Sequence, residues 1–147
     1  VMPPFRTEED LAALQQAIAE ETINSICSDH QPHNKDAKQA PFSDTQHGIS
    51  TIEILLPLLM ELVDLKIIDI NTAIAKVTIN PANILGIDAG VIKKGSAADL
   101  CIFKRKEWLF NDNKVLSSGK NNPFIGKTFN TQVEKTICNG KIVYEKR

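Results

Sequence analysis

The sequence predicts an α/β chain in two portions, strand-then-helix up to residue 89 and β-structure from residue 90 onward. Three observations carry this reading. The apolar run "TINSIC" at 22–27 is followed by an acid, a long polar loop and an apolar helix, the βα order of a parallel sheet or barrel. At Gly90 the character changes, and "GVIKKGSAADLCIF" reads as turn glycines followed by a strand of about five residues ending at Phe103. Near the end, Asn139-Gly140 joins two strand-like runs, a strong short-range hairpin signal.

The elements follow in order. Pro3 and Pro4 forbid helix, and Thr7 with Asp10 three places on makes a capping box. Leu11, Leu14 and Ile18 then recur at helical spacing beside Ala13 and Ala17, which predicts an amphipathic helix of about three turns. The β-branched content of 22–27 predicts a buried strand. Residues 29–48, with Pro32, Pro41 and Gly48, read as a long loop, and loops this long in compact domains are usually functional or disordered. A helix apolar nearly all round runs from Ile52 to Val63, with Ser50 and Glu53 as its capping pair and a kink expected at Pro57. Asp69 starts a shorter helix through Ile74 and Val77. "NPANILG" predicts another, with Asn80 as N-cap, Pro81 at the first helical position and Gly86 as the stop.

Composition narrows the function classes. The 147 residues are 42% hydrophobic and 24% charged, enough for one ordinary domain with a core. Lys plus Arg number 17 against 18 for Asp plus Glu, so no global field favours nucleic acid or an anionic membrane surface. Cys27, Cys101 and Cys138 are widely spaced with no C-x-x-C pair, and are expected to be small buried hydrophobes in a reducing compartment. "VMPPFRTEEDL" has no charged n-region or apolar h-region, and no apolar stretch is long enough to span a bilayer. The expected location is the cytoplasm.

Chemistry-bearing residues gather in "SDHQPH" at 28–33, with the third histidine, His47, not far downstream. Asp29 follows a predicted strand directly, where reactive groups collect in parallel α/β folds. A carboxylate there can cap the loop by accepting from nearby amides, or ligate a metal and take a proton. His33 sits within reach of the same opening, or is simply solvated. Two histidines three apart with no third ligand nearby do not make a zinc site.

"PPFRTEEDLAAL", "SDHQPH", "GISTIEILLPLL", "NPANILGI", "GVIKKGSAADLCIF" and "SSGKNNPFIGKTF…TICNGKIVYE" occur in the same order as in the C-terminal part of the dihydroorotases. Over essentially its whole length the chain resembles these cyclic amidohydrolases of the amidohydrolase superfamily. The glycine-rich turn is shared widely across that superfamily, whereas "KNNPFIG", "PPFR" and "DHQPH" point more narrowly to dihydroorotase over hydantoinases and allantoinases. The resemblance implies the C-terminal portion of a (β/α)8 amidohydrolase barrel over 1–89, holding strand 8, the active-site loop and closing helices. It implies part of a small composite β-sandwich domain over 90–147. The implied reaction is the reversible closure of carbamoyl aspartate to dihydroorotate in pyrimidine synthesis, with one or two zinc ions. Asp29 matches the residue that ligates zinc and carries the proton from the bridging water to the leaving amide nitrogen. His33 matches the histidine on the substrate carboxylate side, and Gly48 the loop glycine whose backbone approaches the ring. With His47 they form the implied substrate-side set.

Two positions depart from the family pattern: Met2 stands where asparagine is usual before the Pro-Pro pair, and His47 where proline is usual. The resemblance therefore extends to the non-catalytic dihydroorotase-like chain that assembles with aspartate carbamoyltransferase, and more weakly to hydantoinase-like cyclic amidases. The implied metal site also needs a His-x-His pair, which these residues lack. The chain is accordingly expected to be a fragment, inactive alone, that pairs with the rest of the same protein or with copies of itself, as exposed strand edges demand.

Overall fold

The computed structural model describes residues 1–146, Lys35 by its backbone alone. Helix α1 spans Glu8–Ala19 and begins as its sequence dictates. The Asp10 amide donates to Thr7 Oγ1 at 3.2 Å, and the Thr7 amide donates back to Asp10 Oδ2 at 3.0 Å. Its apolar face is only partly used. Leu11 and Leu14 stay exposed, while Ile18 packs on a core cluster.

The strand expected at 22–27 does not form. The segment bends at residues 22 and 23 and makes no ladder. The Ile23 amide donates to Ala17 O and the Ile26 amide to Lys76 O, so its backbone is satisfied by helix ends. Strand pairing survives only as an isolated parallel bridge between His30 and Ile49. A strand is defined by neighbours as much as by its own residues, and here the neighbours are helical. The loop that follows folds into two 3₁₀ turns, Lys35–Lys38 and Phe42–Asp44.

A 3₁₀ turn, Ile52–Ile54, leads into α2, Leu55–Asp64. The expected Ser50–Glu53 capping pair is absent, because the Glu53 carboxylate accepts from Leu116 and Ser117 instead. Pro57 is the third residue of α2, inside the first turn, where no intrahelical bond is lost and no kink is required. Asp69 caps α3, Ile70–Ala75, as expected, accepting from the amides of Asn71 at 2.8 Å and Thr72 at 3.2 Å. Helix α4, Ile79–Leu85, starts one residue before Asn80, which places Pro81 third in the helix. The Asn80 amide group is drawn away to donate to Asn24 O at 2.9 Å. Gly86 ends α4 at φ 68°, the left-handed cap that glycine adopts without penalty.

Three antiparallel strands complete the chain: β1 Leu100–Leu109, β2 Thr128–Cys138 and β3 Lys141–Glu145, in the order β1-β2-β3. The hairpin falls where expected, with Asn139 at φ 48° and Gly140 at φ 76° between β2 and β3. β1 runs well past its expected end at Phe103. Its continuation "KRKE" is exposed at all four positions, so no apolar alternation marks it as strand. Among the described residues there is one sheet of three strands and no second layer of a sandwich. The three cysteines are free and exposed, not buried as expected.

Two apolar clusters hold these parts. Ile54, Phe110, Val115 and Phe129 form one, with Leu58, Trp108 and Phe124 against it, and it spans the expected boundary at residues 89 and 90. Each such side chain, fully buried, contributes roughly 1.5–3 kcal/mol. Lys127–Glu61 at 2.7 Å and Arg105–Asp64 add ion pairs between the sheet portion and α2. Leu59, Ile68 and Ala73 form the second cluster, joined by Ile18, Ile26 and Val77. Among the described residues, no helix is long and apolar enough to cross a membrane.

Candidate functional site

The loop after residues 22–27 closes on itself. Asp29 adopts φ 43°, a left-handed conformation that aspartate tolerates better than most residues. It is exposed, and its Oδ1 accepts from Gln31 Nε2 at 3.0 Å. Gln31 in turn donates its amide to Ile49 O at 2.9 Å. Gly48, buried at φ 105°, lies so close to Gln31 that an added Cβ would meet the Gln31 Cβ at 2.3 Å. Glycine is therefore required there twice over, by conformation and by space.

His33 is half-buried, and its Nε2 lies 2.6 Å from the carbonyl of His47. A carbonyl only accepts, so Nε2 carries the proton, and Nδ1 is the ring atom left to meet a ligand. The His47 side chain is exposed, and what this residue gives the site is its backbone carbonyl. The structure thus brings His33, His47 and Gly48 together, and Asp29 joins them through Gln31.

Several residues that build this arrangement carry no site signal in the sequence. His30, legible only as part of the motif, is structural: Nδ1 accepts from the amides of Thr51 at 3.0 Å and Ile52 at 3.2 Å. Its Nε2 sits 3.3 Å from Ser117 Oγ, which donates to Glu53 Oε1 at 2.6 Å. From the other end of the chain, the Asn121 side chain accepts from the His33 amide at 2.7 Å and donates to Gly48 O at 3.0 Å. Gly119 comes so near that an added Cβ would lie 2.4 Å from His33 N. Ser117, Gly119 and Asn121 all lie in "SSGKNNPFIG", a motif that marks kinship without marking a site.

Burial alone would push Glu53 up, but donation from the Ser117 hydroxyl and amide outweighs it and holds the carboxyl below its ordinary 4.5. A depressed carboxyl stabilises the fold above its unfolded value, and that contribution is lost as pH falls through the folded value. Thermal melts are therefore expected to drop below about pH 4.5. Glu53→Gln is expected to flatten that acid limb, and an acid limb identical in the two proteins would refute the assignment to Glu53.

Residues 4–143 match the Amidohydrolase family. The chain belongs to that family. Among its relatives, a dihydroorotase of Geotalea daltonii is 39% identical over 145 residues, covering 98% of this chain and 34% of that protein. A dihydroorotase-like protein of Pseudomonas aeruginosa is also 39% identical, covering 99% and 34%. The solved L-hydantoinase (dihydropyrimidinase) of Arthrobacter aurescens superposes with a TM-score of 0.91 at 25% identity, covering 99% of this chain and 34% of that one. The chain thus spans about a third of the length of these amidohydrolase relatives, and its amidohydrolase-type α/β fold is shared with them.

Amidohydrolases of this kind are generally metal-dependent. Among the described residues, no group of three or more His, Cys, Asp or Glu side chains could hold a metal ion. Asp29 can supply one ligand, and one ligand does not make a site.

Proposed function

We propose that this chain is the C-terminal segment of a dihydroorotase-type cyclic amidohydrolase, contributing its substrate rim. The observation that carries the reading is the closed loop itself. Gly48 is a glycine packed on Gln31, His33 Nε2 is held by the His47 carbonyl so that Nδ1 is its remaining ring nitrogen, and Asp29 stands exposed at the loop's start. In ring opening, water adds to the amide carbon and a proton must reach the departing nitrogen. An exposed carboxylate held in one conformation is suited to take that proton and return it. A substrate carboxylate only accepts, so His33 would meet it as a donor from Nδ1, the ring nitrogen that His47 does not take. The Gly48 backbone would lie against the dihydropyrimidine ring. One or two zinc ions in the longer protein would polarise the amide carbonyl, with Asp29 as one ligand and the others outside this chain. The longer protein is proposed to be cytoplasmic and to self-associate.

A second reading is favoured by Met2, by His47 and by the kinship with dihydroorotase-like proteins. In it the longer protein is a non-catalytic partner of aspartate carbamoyltransferase, with the loop from Asn34 to Gln46 serving contacts. A third, hydantoinase-type activity on another cyclic amide, rests on the shared fold.

Dihydroorotate ring opening by the longer protein, with zinc quantified in the same preparation and hydantoin as alternative substrate, separates the three. Turnover of dihydroorotate with near-stoichiometric zinc supports the first. Turnover of hydantoin alone supports the third. A folded, zinc-free, inactive protein that binds aspartate carbamoyltransferase supports the second.

A further inference from the structure

We propose that Asn121 is a positioning residue that fixes the substrate rim from the far end of the chain, an inference that rests on the dihydroorotase-type function proposed for the loop. His33 and Gly48 lie at the two ends of a loop whose middle consists of short 3₁₀ turns, with no helix or sheet of its own to hold the ends together. The His30–Ile49 bridge and the bond from His33 Nε2 to the His47 carbonyl bring the ends near each other, and one side-chain amide then ties the backbone of both rim residues. Asn121 Oδ1 accepts from the His33 amide at 2.7 Å, and its Nδ2 donates to the Gly48 carbonyl at 3.0 Å. The backbone around it is fixed to the same place. The Ser50 amide donates to Asn121 O at 3.2 Å, and the Asn122 side chain donates to Ser50 O. Gly119 permits the approach, since any side chain there would collide with the backbone of Pro32 and His33.

The pairing is directional. Only a group with one acceptor and one donor at amide spacing satisfies both an N–H and a C=O. Aspartate can serve His33 but sets a carboxylate against the Gly48 carbonyl, and alanine serves neither. Asn121 touches the backbone of the two rim residues, not the reacting atoms. Its loss therefore weakens substrate and transition state alike, and this appears in KM.

In the longer protein, Asn121→Ala is expected to raise KM for dihydroorotate about tenfold with kcat nearly unchanged, the order that losing one or two ordinary hydrogen bonds supplies. Asn121→Asp should fall between it and the parent. Hydrogen exchange at the His33 amide should accelerate in Asn121→Ala, and less in Asn121→Asp, which keeps the acceptor. A lowered melting temperature with KM and His33 exchange both unchanged would overturn the proposal, since that is what a merely structural role gives. If the parent protein does not open the ring, the functional reading fails separately and the His33 exchange decides alone: faster exchange upholds the positioning role, and unchanged exchange ends it. If Asn121→Ala does not fold, Asn121→Asp carries the same comparisons.

Discussion

Under the proposed dihydroorotase-type function, Asp29→Asn in the longer protein is expected to lower dihydroorotate ring opening by about 10²- to 10⁴-fold, the usual worth of a positioned acid–base group. The substitution is informative because the structure makes it nearly silent in every other respect. Asp29 sits at φ 43°, and asparagine is among the few residues that share its tolerance of that region. The side-chain bond from Gln31 Nε2 to Oδ1 can be kept by an amide oxygen. The side chain is exposed, so no burial is lost, and exposed substitutions of this kind shift stability by about 0.5 kcal/mol or less. Activity should therefore collapse while the melting curve stays put. Asp29→Ala is a poorer probe, because alanine is strained at positive φ and the rim would move with it. Parent-like turnover by Asp29→Asn would remove Asp29 from the chemistry and leave it the loop cap that its sequence position also allowed.

What the sequence revealed, and what it hid, divides by distance along the chain. Thr7 with Asp10, Asp69 with the next turn, Gly86 and Asn139-Gly140 all act within a few residues, and each was legible because its partner lies in the same window. Glu53 was misread for the opposite reason. As a local capping residue it was plausible, but the Ser117 hydroxyl and amide, 64 positions away, offer its carboxylate stronger partners than the helix start does. Asn80 lost its expected cap to Asn24 O in the same manner. The run at 22–27 has strand composition without strand neighbours. The candidate site shows the same division. Asp29, His33 and Gly48 were readable as types of residue in one loop, and the resemblance gave them roles. That Asn121 holds two of them could not be read, because only folding brings residue 121 to residue 33.

The segment leading to Asp29 depends on a residue that no motif singled out, and Lys76→Ala is expected to be the most disruptive substitution to it. Lys76 is 1% exposed, which is rare for a lysine. It closes α3 and grips residues 23–26 from both ends. Its Nζ donates to Ile23 O at 2.6 Å, and its own carbonyl accepts from the Ile26 amide at 3.0 Å. Its four-carbon stem is buried along with the ammonium. Alanine removes the stem, leaves a cavity and orphans the Ile23 carbonyl, at a cost of about 2–4 kcal/mol. Methionine keeps most of the stem volume. It still orphans the carbonyl, but it also relieves the burial of a charged group, so its cost should be smaller, about 1–2 kcal/mol. Native-state hydrogen exchange at the Ile26 amide reads the local effect, with acceleration on the order of 10²-fold for Lys76→Ala and clearly less for Lys76→Met. Ring opening should fall in the same order if the segment sets where Asp29 stands. Equal exchange in all three proteins would mean that 23–26 is held by its backbone contacts alone, and Lys76 would then be a buried charge with no positional role.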